Sequence, residues 1–163
     1  MKKLYSICML AVVALCFAGC KKDKNDPEQQ TQPQQTETLA GNVARPTWTA
    51  PEVSDMSSSM TAVVKVDLKA QYLETAADFV LDNNDLLAAF SGETCLGTAQ
   101  PQEGLFFLYI AAPVTGNPSS VTLRYYSAHY KNLFEAVNAL TFANDAHLGT
   151  IAEPFKPAFV VAK

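Results

Sequence analysis

Residues 86–99 read LLAAFSGETCLGTA, and this stretch decides the fold class of the chain. Residues 86–90 are apolar at every position, which is typical of a central strand that is covered on both faces. Residues 91–94 are Ser, Gly, Glu and Thr, a composition that favours a tight turn. Residues 95–99 follow as a second strand, so the spacing predicts a β-hairpin.

Short apolar runs separated by turn residues continue on both sides of this hairpin. Residues 60–68 alternate between apolar and polar side chains, as a half-buried strand does. Glycine, proline and asparagine stand between the runs, where turns are expected. Further strands are predicted at 105–110, 121–128, 132–136 and 158–161.

Helical periodicity is weak throughout the chain after residue 20. Only 70–80 and 134–140 qualify as short helix candidates. Many short strands with evenly spaced turns indicate an all-β domain. We therefore predict a single antiparallel sandwich of immunoglobulin-like or jelly-roll type over residues 46–163.

The N-terminus has the pattern of a secretory signal peptide over residues 1–19. Two lysines are followed by an apolar run, too short to be a stable spanning helix, that ends in small residues. The sequence Phe17-Ala18-Gly19-Cys20 resembles a bacterial lipobox, although Phe17 stands where leucine is more usual. The resemblance implies cleavage between Gly19 and Cys20 and a diacylglyceryl group on the Cys20 thiol. The alternatives are an ordinary signal peptide and a buried helix.

Residues 21–45 are rich in Lys, Asp, Gln, Thr and Pro, with almost nothing to bury, and predict a disordered tether after the lipidated Cys20. The charged run 21–26 weakly resembles export signals of outer-membrane lipoproteins. It favours a lipid-anchored protein of the bacterial outer membrane, displayed at the cell surface or on the periplasmic face.

The net charge limits which partners the chain can bind, and the cysteine content limits which disulfides it can form. Loss of residues 1–19 removes two lysines and no acid, so the formal charge falls from −4 to −6. An acidic domain lacks the clustered cations that bind nucleic acid, so no nucleic-acid partner is expected, and attachment to the membrane would depend on the lipid. Cys8 and Cys16 leave with the signal peptide. Cys95 then remains without a disulfide partner and is predicted to be a small buried residue rather than a nucleophile.

The segment 85–97, with Trp48 between two prolines and the run 58–64, is similar to a recurring β-sandwich module. Such modules, largely uncharacterised, occur in secreted and lipid-anchored surface proteins of Gram-negative anaerobes. Leu96 departs from the pattern, which often has a basic residue there. The resemblance implies a sandwich fold and a place on the envelope, and it brings no catalytic residue.

Motifs for catalysis or cofactor binding are absent from the sequence: there is no nucleophile elbow, phosphate loop, Cys-x-x-Cys pair or zinc helix. His129 and His147 are predicted to be ordinary loop or strand-end residues. We therefore expect no cofactor and no enzymatic activity. Paired carboxylates could still support glycoside hydrolysis, and the nearest set is Asp78, Asp82, Asp85 and Glu93.

The loop 82–85 has two interpretations. Asp and Asn build turns by hydrogen bonding to their own backbone, and this interpretation is favoured. Oxygens of Asp82 and Asp85 are also a weak candidate site for calcium, although the ligand spacing of a calcium loop is missing.

Aromatic residues are the remaining sequence feature that could indicate a binding site. Flat rings stack on sugars and anchor protein interfaces. Trp48, Arg124, Tyr126 and Tyr130 are the candidate ligand-binding residues, and strand alternation predicts that Arg124 and Tyr126 are exposed together. The competing interpretation is that these rings close the ends of the sandwich.

Together these features predict a membrane-anchored surface lipoprotein that acts as a non-catalytic recognition or adhesion module for a glycan or a protein. A structural accessory subunit of an envelope protein complex is the first alternative. A glycan-acting hydrolase is the second.

Overall fold

The computed structural model describes residues 38–113 and 116–163, and this part of the chain is all-β, as predicted. A 3₁₀ turn (Val53–Asp55) precedes the first strand, and a five-residue helix α1 (Leu68–Tyr72) follows it. The strands in the described residues are β1 (Met56–Val64), β2 (Leu86–Ser91), β3 (Thr94–Ala99), β4 (Pro101–Gln102), β5 (Leu105–Pro113), β6 (Thr122–Ser127), β7 (Asn132–Ala136), β8 (His147–Leu148) and β9 (Phe159–Val161).

These strands form two sheets that pack as an open sandwich. Sheet 1 has the order β4-β5-β1-β8, and sheet 2 has the order β3-β2-β6-β7-β9. The predicted hairpin is confirmed, with β2 and β3 antiparallel and Gly92 in the turn at a φ of +58°. The pairing of β1 with β8 is parallel, which departs from the purely antiparallel arrangement expected.

The core lies between the inner faces of the two sheets. Tyr125 of β6 is fully buried at its centre, with ring centroids 5.9 Å from Phe106, 5.9 Å from Phe134 and 5.7 Å from Phe159. Aromatic pairs at such separations add about 0.5–1.5 kcal/mol beyond the area that they bury. Other inward-facing residues are Met60, Ala62, Val64, Leu108, Ile110, Leu87, Ala89 and Leu123.

The two helix candidates have different outcomes. The first overlaps α1 at 70–72 only, since α1 begins at Leu68, where the Asp67 side chain accepts from the Ala70 amide at 3.1 Å, and residues 73–78 form turns. The second is wrong, because Phe134 lies in β7. Strand β7 alternates buried and half-buried residues and pairs with both β6 and β9, so sheet pairing overrides any helical tendency.

The chain that enters the domain, residues 39–48, runs against sheet 2. Leu39 is buried at 3 % exposure, and the Asn132 side-chain amide donates to its carbonyl at 3.0 Å. The amides of Gly41 and Val43 donate to carbonyls of the β6–β7 turn, both at 2.8 Å. The predicted tether therefore ends before residue 39 rather than at 45, because this entry segment has its own apolar and backbone contacts.

The predicted signal peptide, the cleavage site at Gly19 and Cys20, and the tether up to residue 37 lie outside the described residues. Among the residues that are described, no helix combines the length and the apolar character that crossing a bilayer requires.

Candidate functional site

Trp48 and Arg124 both contact the ring of Phe90 on the outer face of sheet 2. The Trp48 ring meets Phe90 edge-on at a centroid distance of 5.3 Å. The Arg124 guanidinium lies 4.6 Å from the centre of the same ring, within cation–π range. The structure thus brings two of the four predicted ligand-binding residues to one place.

The guanidinium of Arg124 is already engaged by two carboxylates. Its terminal nitrogens donate to both oxygens of Glu93, at 3.1 and 3.2 Å, and its Nε donates to Glu135 at 3.1 Å. Hydrogen bonds from Arg124 lower the pKa of Glu93. This arrangement links β6 to β7 and to the β2–β3 turn, and it engages three of the five N–H donors of the guanidinium.

Tyr126 and Tyr130 are buried, so the prediction of an exposed Arg124–Tyr126 pair is wrong for its tyrosine. Tyr126 is 5 % exposed, and its hydroxyl donates to the Val43 carbonyl at 3.3 Å. The entry segment passes over this face, which alternation within β6 could not reveal. The Tyr130 hydroxyl donates to Asp78 at 2.9 Å, and burial raises the pKa of Tyr130.

The loop 82–85 is an Asx turn. Asp82 Oδ1 accepts from the backbone amide of Asn84 at 2.7 Å and from its side chain at 2.9 Å. Asp85 is fully buried and accepts from the Tyr125 hydroxyl at 2.6 Å, the Ala128 amide at 2.7 Å and the Asp82 amide at 3.1 Å. These donors occupy the carboxylate oxygens that a calcium ion would need, and burial raises the pKa of Asp85.

The remaining reactive side chains have separate partners. His129 Nε2 lies 3.3 Å from Asp78, and His147 Nδ1 lies 2.6 Å from the Thr61 hydroxyl. The Cys95 thiol is half-buried, and burial raises its pKa, the direction opposite to that of an activated nucleophile. In the described ranges, no group of three or more His, Cys, Asp or Glu side chains is placed to hold a metal ion.

Exposed aromatic rings lie instead on the outer face of sheet 1. Phe107 is 41 % exposed and Tyr109 is 50 % exposed, while the residues between and beside them in β5 face the core. Sequence reasoning missed this pair, because both sets of alternating residues in 105–110 are apolar. The hydroxyl of Tyr109 was the available signal, since it is the polar group in an otherwise apolar run.

Polar side chains lie beside Tyr109, whereas Val63 lies beside Phe107. In the strand register, Thr61 of β1 lies beside Tyr109 on one side and beside His147 of β8 on the other. Next to them, an open groove of about 320 Å³ is lined by residues 56–59, Tyr109, Asn144 and Asp145. We call the surface formed by Phe107, Tyr109 and this groove the sheet 1 face.

Gly97 of β3 allows sheet 2 to approach the backbone of β5 closely. A Cβ atom at this position would lie 1.9 Å from the carbonyl oxygen of Tyr109. A strand glycine often marks such a close backbone approach, and here the β2–β3 register also shifts beside it. The glycine that follows Cys95 and Leu96 in the sequence therefore supports the backbone that carries Tyr109.

Comparison of this chain with protein-family models, with curated proteins and with solved structures finds no match.

Proposed function

We propose that this chain is a lipid-anchored protein of the bacterial outer membrane whose domain is a non-catalytic recognition module. Its binding surface is the sheet 1 face. The observation that carries the proposal is the exposure of Phe107 and Tyr109 side by side on one strand, with a polar groove beside them.

The two outer faces of the sandwich differ in a way that favours this assignment. On sheet 2, the outward residues Leu86, Ala88 and Phe90 are buried, and the entry segment contacts this face. On sheet 1, the outward rings of Phe107 and Tyr109 are open to solvent. The chain from the anchor therefore joins the domain at sheet 2, and the rings lie on the opposite sheet.

The anchor suits a module that samples space outside the membrane. The predicted tether spans about 18 residues from Cys20 to the entry segment, and a chain of that length with the composition of a tether would have a root-mean-square span of roughly 20–25 Å. Each buried methylene contributes about 0.8 kcal/mol, and two or more acyl chains hold stably where one does not. Resemblance to surface sandwich modules supports the same placement.

A non-catalytic role agrees with the contacts of the titratable groups. Hydrolysis by a pair of carboxylates needs two of them to face a common substrate atom. Here Asp85 is bonded inside the domain, Glu93 is paired with Arg124, and Asp78 binds Tyr130. These carboxylates fix the fold rather than converge on a shared site.

Two experiments test the proposal. The Cys20→Ser protein should move from the detergent fraction to the soluble fraction of the envelope, and firm membrane attachment of that variant would contradict lipidation. Ligands found on glycan arrays or by cross-linking should bind more weakly to Phe107→Ala and Tyr109→Ala. The matched control is Val160→Ala, which truncates an apolar residue of similar exposure, 41 %, on sheet 2.

An accessory subunit of an envelope complex is the second candidate, and the β9 edge of sheet 2 favours it. Val160 on this edge strand is 41 % exposed, and Val137 nearby is 56 % exposed. Side chains of α1 bond the backbone of this edge at Phe159, so its exposed apolar side chains, rather than free backbone groups, are what would bind a protein partner. A cross-linked partner that is lost on Val160→Asp and kept on Tyr109→Ala would favour this role over the first.

A further inference from the structure

The groove of the sheet 1 face has its polar groups held in fixed positions. Asn144 Oδ1 accepts from the Ser59 amide at 3.2 Å, and its Nδ2 donates to Asp145 Oδ2 at 2.9 Å. The Asp145 amide donates to the Ser59 carbonyl at 2.7 Å. A loop that lies 85 residues away in the sequence is thereby fastened to β1.

Asp145 has a left-handed backbone, with a φ of +58°. Asp and Asn adopt this conformation more readily than most residues. The hydrogen bonds to Ser59 and Asn144 hold it there, so the carboxylate stays at the groove. A preorganised acceptor loses less entropy when a ligand binds.

Hydrogen-bonding capacity remains for a ligand. Within the residues that the structure describes, the Tyr109 hydroxyl, the Ser59 hydroxyl and Oδ1 of Asp145 have no internal partner. The two hydroxyls can each donate and accept a hydrogen bond, whereas the Asp145 oxygen accepts only. The groove thus offers a mixed set of donors and acceptors beside one exposed aromatic ring.

Charge decides among the ligand classes. Asp145 is the one charged residue among those that line the groove, and Lys and Arg are not among them. An anionic ligand would meet a carboxylate and no cation. A protein partner typically covers a larger continuous apolar patch than the two rings and the half-buried Val63 beside Phe107, and the surroundings of Tyr109 are Ser, Thr and His side chains. A neutral polyhydroxylated ring fits both the lack of cations and the small aromatic surface. Its apolar face can stack on Tyr109 while its hydroxyls form hydrogen bonds in the groove.

We propose that this groove binds a neutral saccharide, with Tyr109 as the stacking platform and with Asp145 and Ser59 as hydrogen-bonding partners of its hydroxyls. The inference rests on the proposed recognition function and specifies its ligand. Hydrogen bonds from sugar hydroxyls to the carboxylate are charge-assisted and hence the strong ones in the set.

The test uses the full chain in detergent and a panel of neutral gluco-, galacto-, manno- and xylo-oligosaccharides, with acidic oligogalacturonides for comparison. We expect at least one neutral oligosaccharide to bind. Tyr109→Ala should weaken its binding about tenfold or more, whereas Tyr109→Phe should weaken it less, because the ring remains. Asp145→Asn, which tolerates the same backbone, should weaken it about three- to tenfold.

The control variant is Val80→Ala, which truncates an apolar residue that is 61 % exposed and lies outside both the sheet 1 face and the β9 edge, and it should bind as the unchanged chain does. Thermal unfolding of each variant confirms that the domain is folded. Binding of acidic oligogalacturonides more tightly than every neutral probe overturns the inference, and so does neutral-sugar binding that is insensitive to Tyr109→Ala and Asp145→Asn.

The two proposals fail in different ways. If a protein or another ligand binds through Phe107 and Tyr109 while no neutral oligosaccharide binds, the saccharide inference is wrong and the recognition function stands. If no ligand found on arrays or by cross-linking depends on Phe107 or Tyr109, both are wrong.

Discussion

The carboxylate of Asp85 accepts a 2.6 Å hydrogen bond from the hydroxyl of Tyr125 in the interior of the sandwich. Both residues are completely buried. Asp85 immediately precedes β2 and Tyr125 lies in β6, so the bond joins two neighbouring strands at the end where the β6–β7 turn begins. The same carboxylate accepts from the Ala128 amide, which fixes that turn.

Loss of the Tyr125 hydroxyl should destabilise the domain. Tyr125→Phe keeps the ring contacts but leaves the buried carboxylate short of one donor, and such a loss costs about 1–3 kcal/mol. Urea unfolding followed by fluorescence measures this change. The control is Tyr109→Phe, which removes an exposed hydroxyl and should change the free energy of unfolding by less than about 0.5 kcal/mol. Equal effects of the two changes would contradict the role of the Asp85–Tyr125 bond.

The stability of the domain should depend on pH through Asp85. Burial raises the pKa of this carboxyl above its unfolded value, so the folded state holds more protons in the interval between the two pKa values. The free energy of unfolding that Asp85 contributes therefore falls as pH rises through that interval. Acidification from pH 7 towards the unfolded pKa of an aspartate, about 3.9, should accordingly stabilise the unchanged chain relative to Asp85→Asn.

Other carboxyls act in the opposite direction but cancel in this comparison. The pKa values of Asp78 and Glu93 are lowered by hydrogen bonds from Tyr130 and Arg124, so their contributions are lost on acidification. Both groups are present in both proteins. Urea unfolding at several pH values should show a difference between the two proteins that changes with pH. A constant difference would refute the assignment.

The hairpin 86–99 was predicted correctly because all the sequence signals that define it lie close together in the chain. The apolar run, the Gly-containing turn and the return strand all lie within 14 residues. The covering of both faces of β2 was also correctly predicted from the apolar run. The identity of the cover was not predicted, because residues 39–45 were assigned to the polar tether, and only Leu39 within it and Trp48 after it mark contact with the domain.

The candidate site could not be found from alternation alone. Alternation tells which residues share a face, and it correctly pairs Arg124 with Tyr126. It does not tell whether another segment covers that face, and here Val43, 83 residues away, does so. In β5, both alternating sets are apolar apart from the Tyr109 hydroxyl, and one hydroxyl is too weak a signal to separate the core side from the exposed side. Strand β8 has two residues, too few to show any period.

The entry segment should contribute to stability. A chain that begins at residue 46 loses Leu39 and the hydrogen bonds of Gly41 and Val43, whereas a chain that begins at 38 keeps them. We expect the shorter chain to unfold at a lower temperature. Leu39→Ala in the longer chain should account for part of this loss, at about 2–5 kcal/mol for a buried leucine. Identical melting temperatures for the two chains would show that this segment contributes nothing.

Substitution of Gly97 should destabilise the domain through the contact between β3 and β5. In Gly97→Ala, the new methyl group would lie 1.9 Å from the Tyr109 carbonyl oxygen, and backbone cannot retract as a flexible side chain can. Overpacking of this kind costs about 1–3 kcal/mol and occasionally more. Gly92→Ala is the control: its Cβ meets nothing within 4 Å, so it carries only the cost of a left-handed backbone, about 1–2 kcal/mol.

Because Gly97 contacts the backbone that carries Tyr109, its substitution should also displace the sheet 1 face. Gly97→Ala should therefore weaken binding of any ligand found to depend on Tyr109, whereas Gly92→Ala should lower stability without this loss. Urea unfolding and a binding titration on the two variants separate these effects. If Gly97→Ala destabilises no more than Gly92→Ala and leaves binding unchanged, the close approach of β3 to β5 does not position the site.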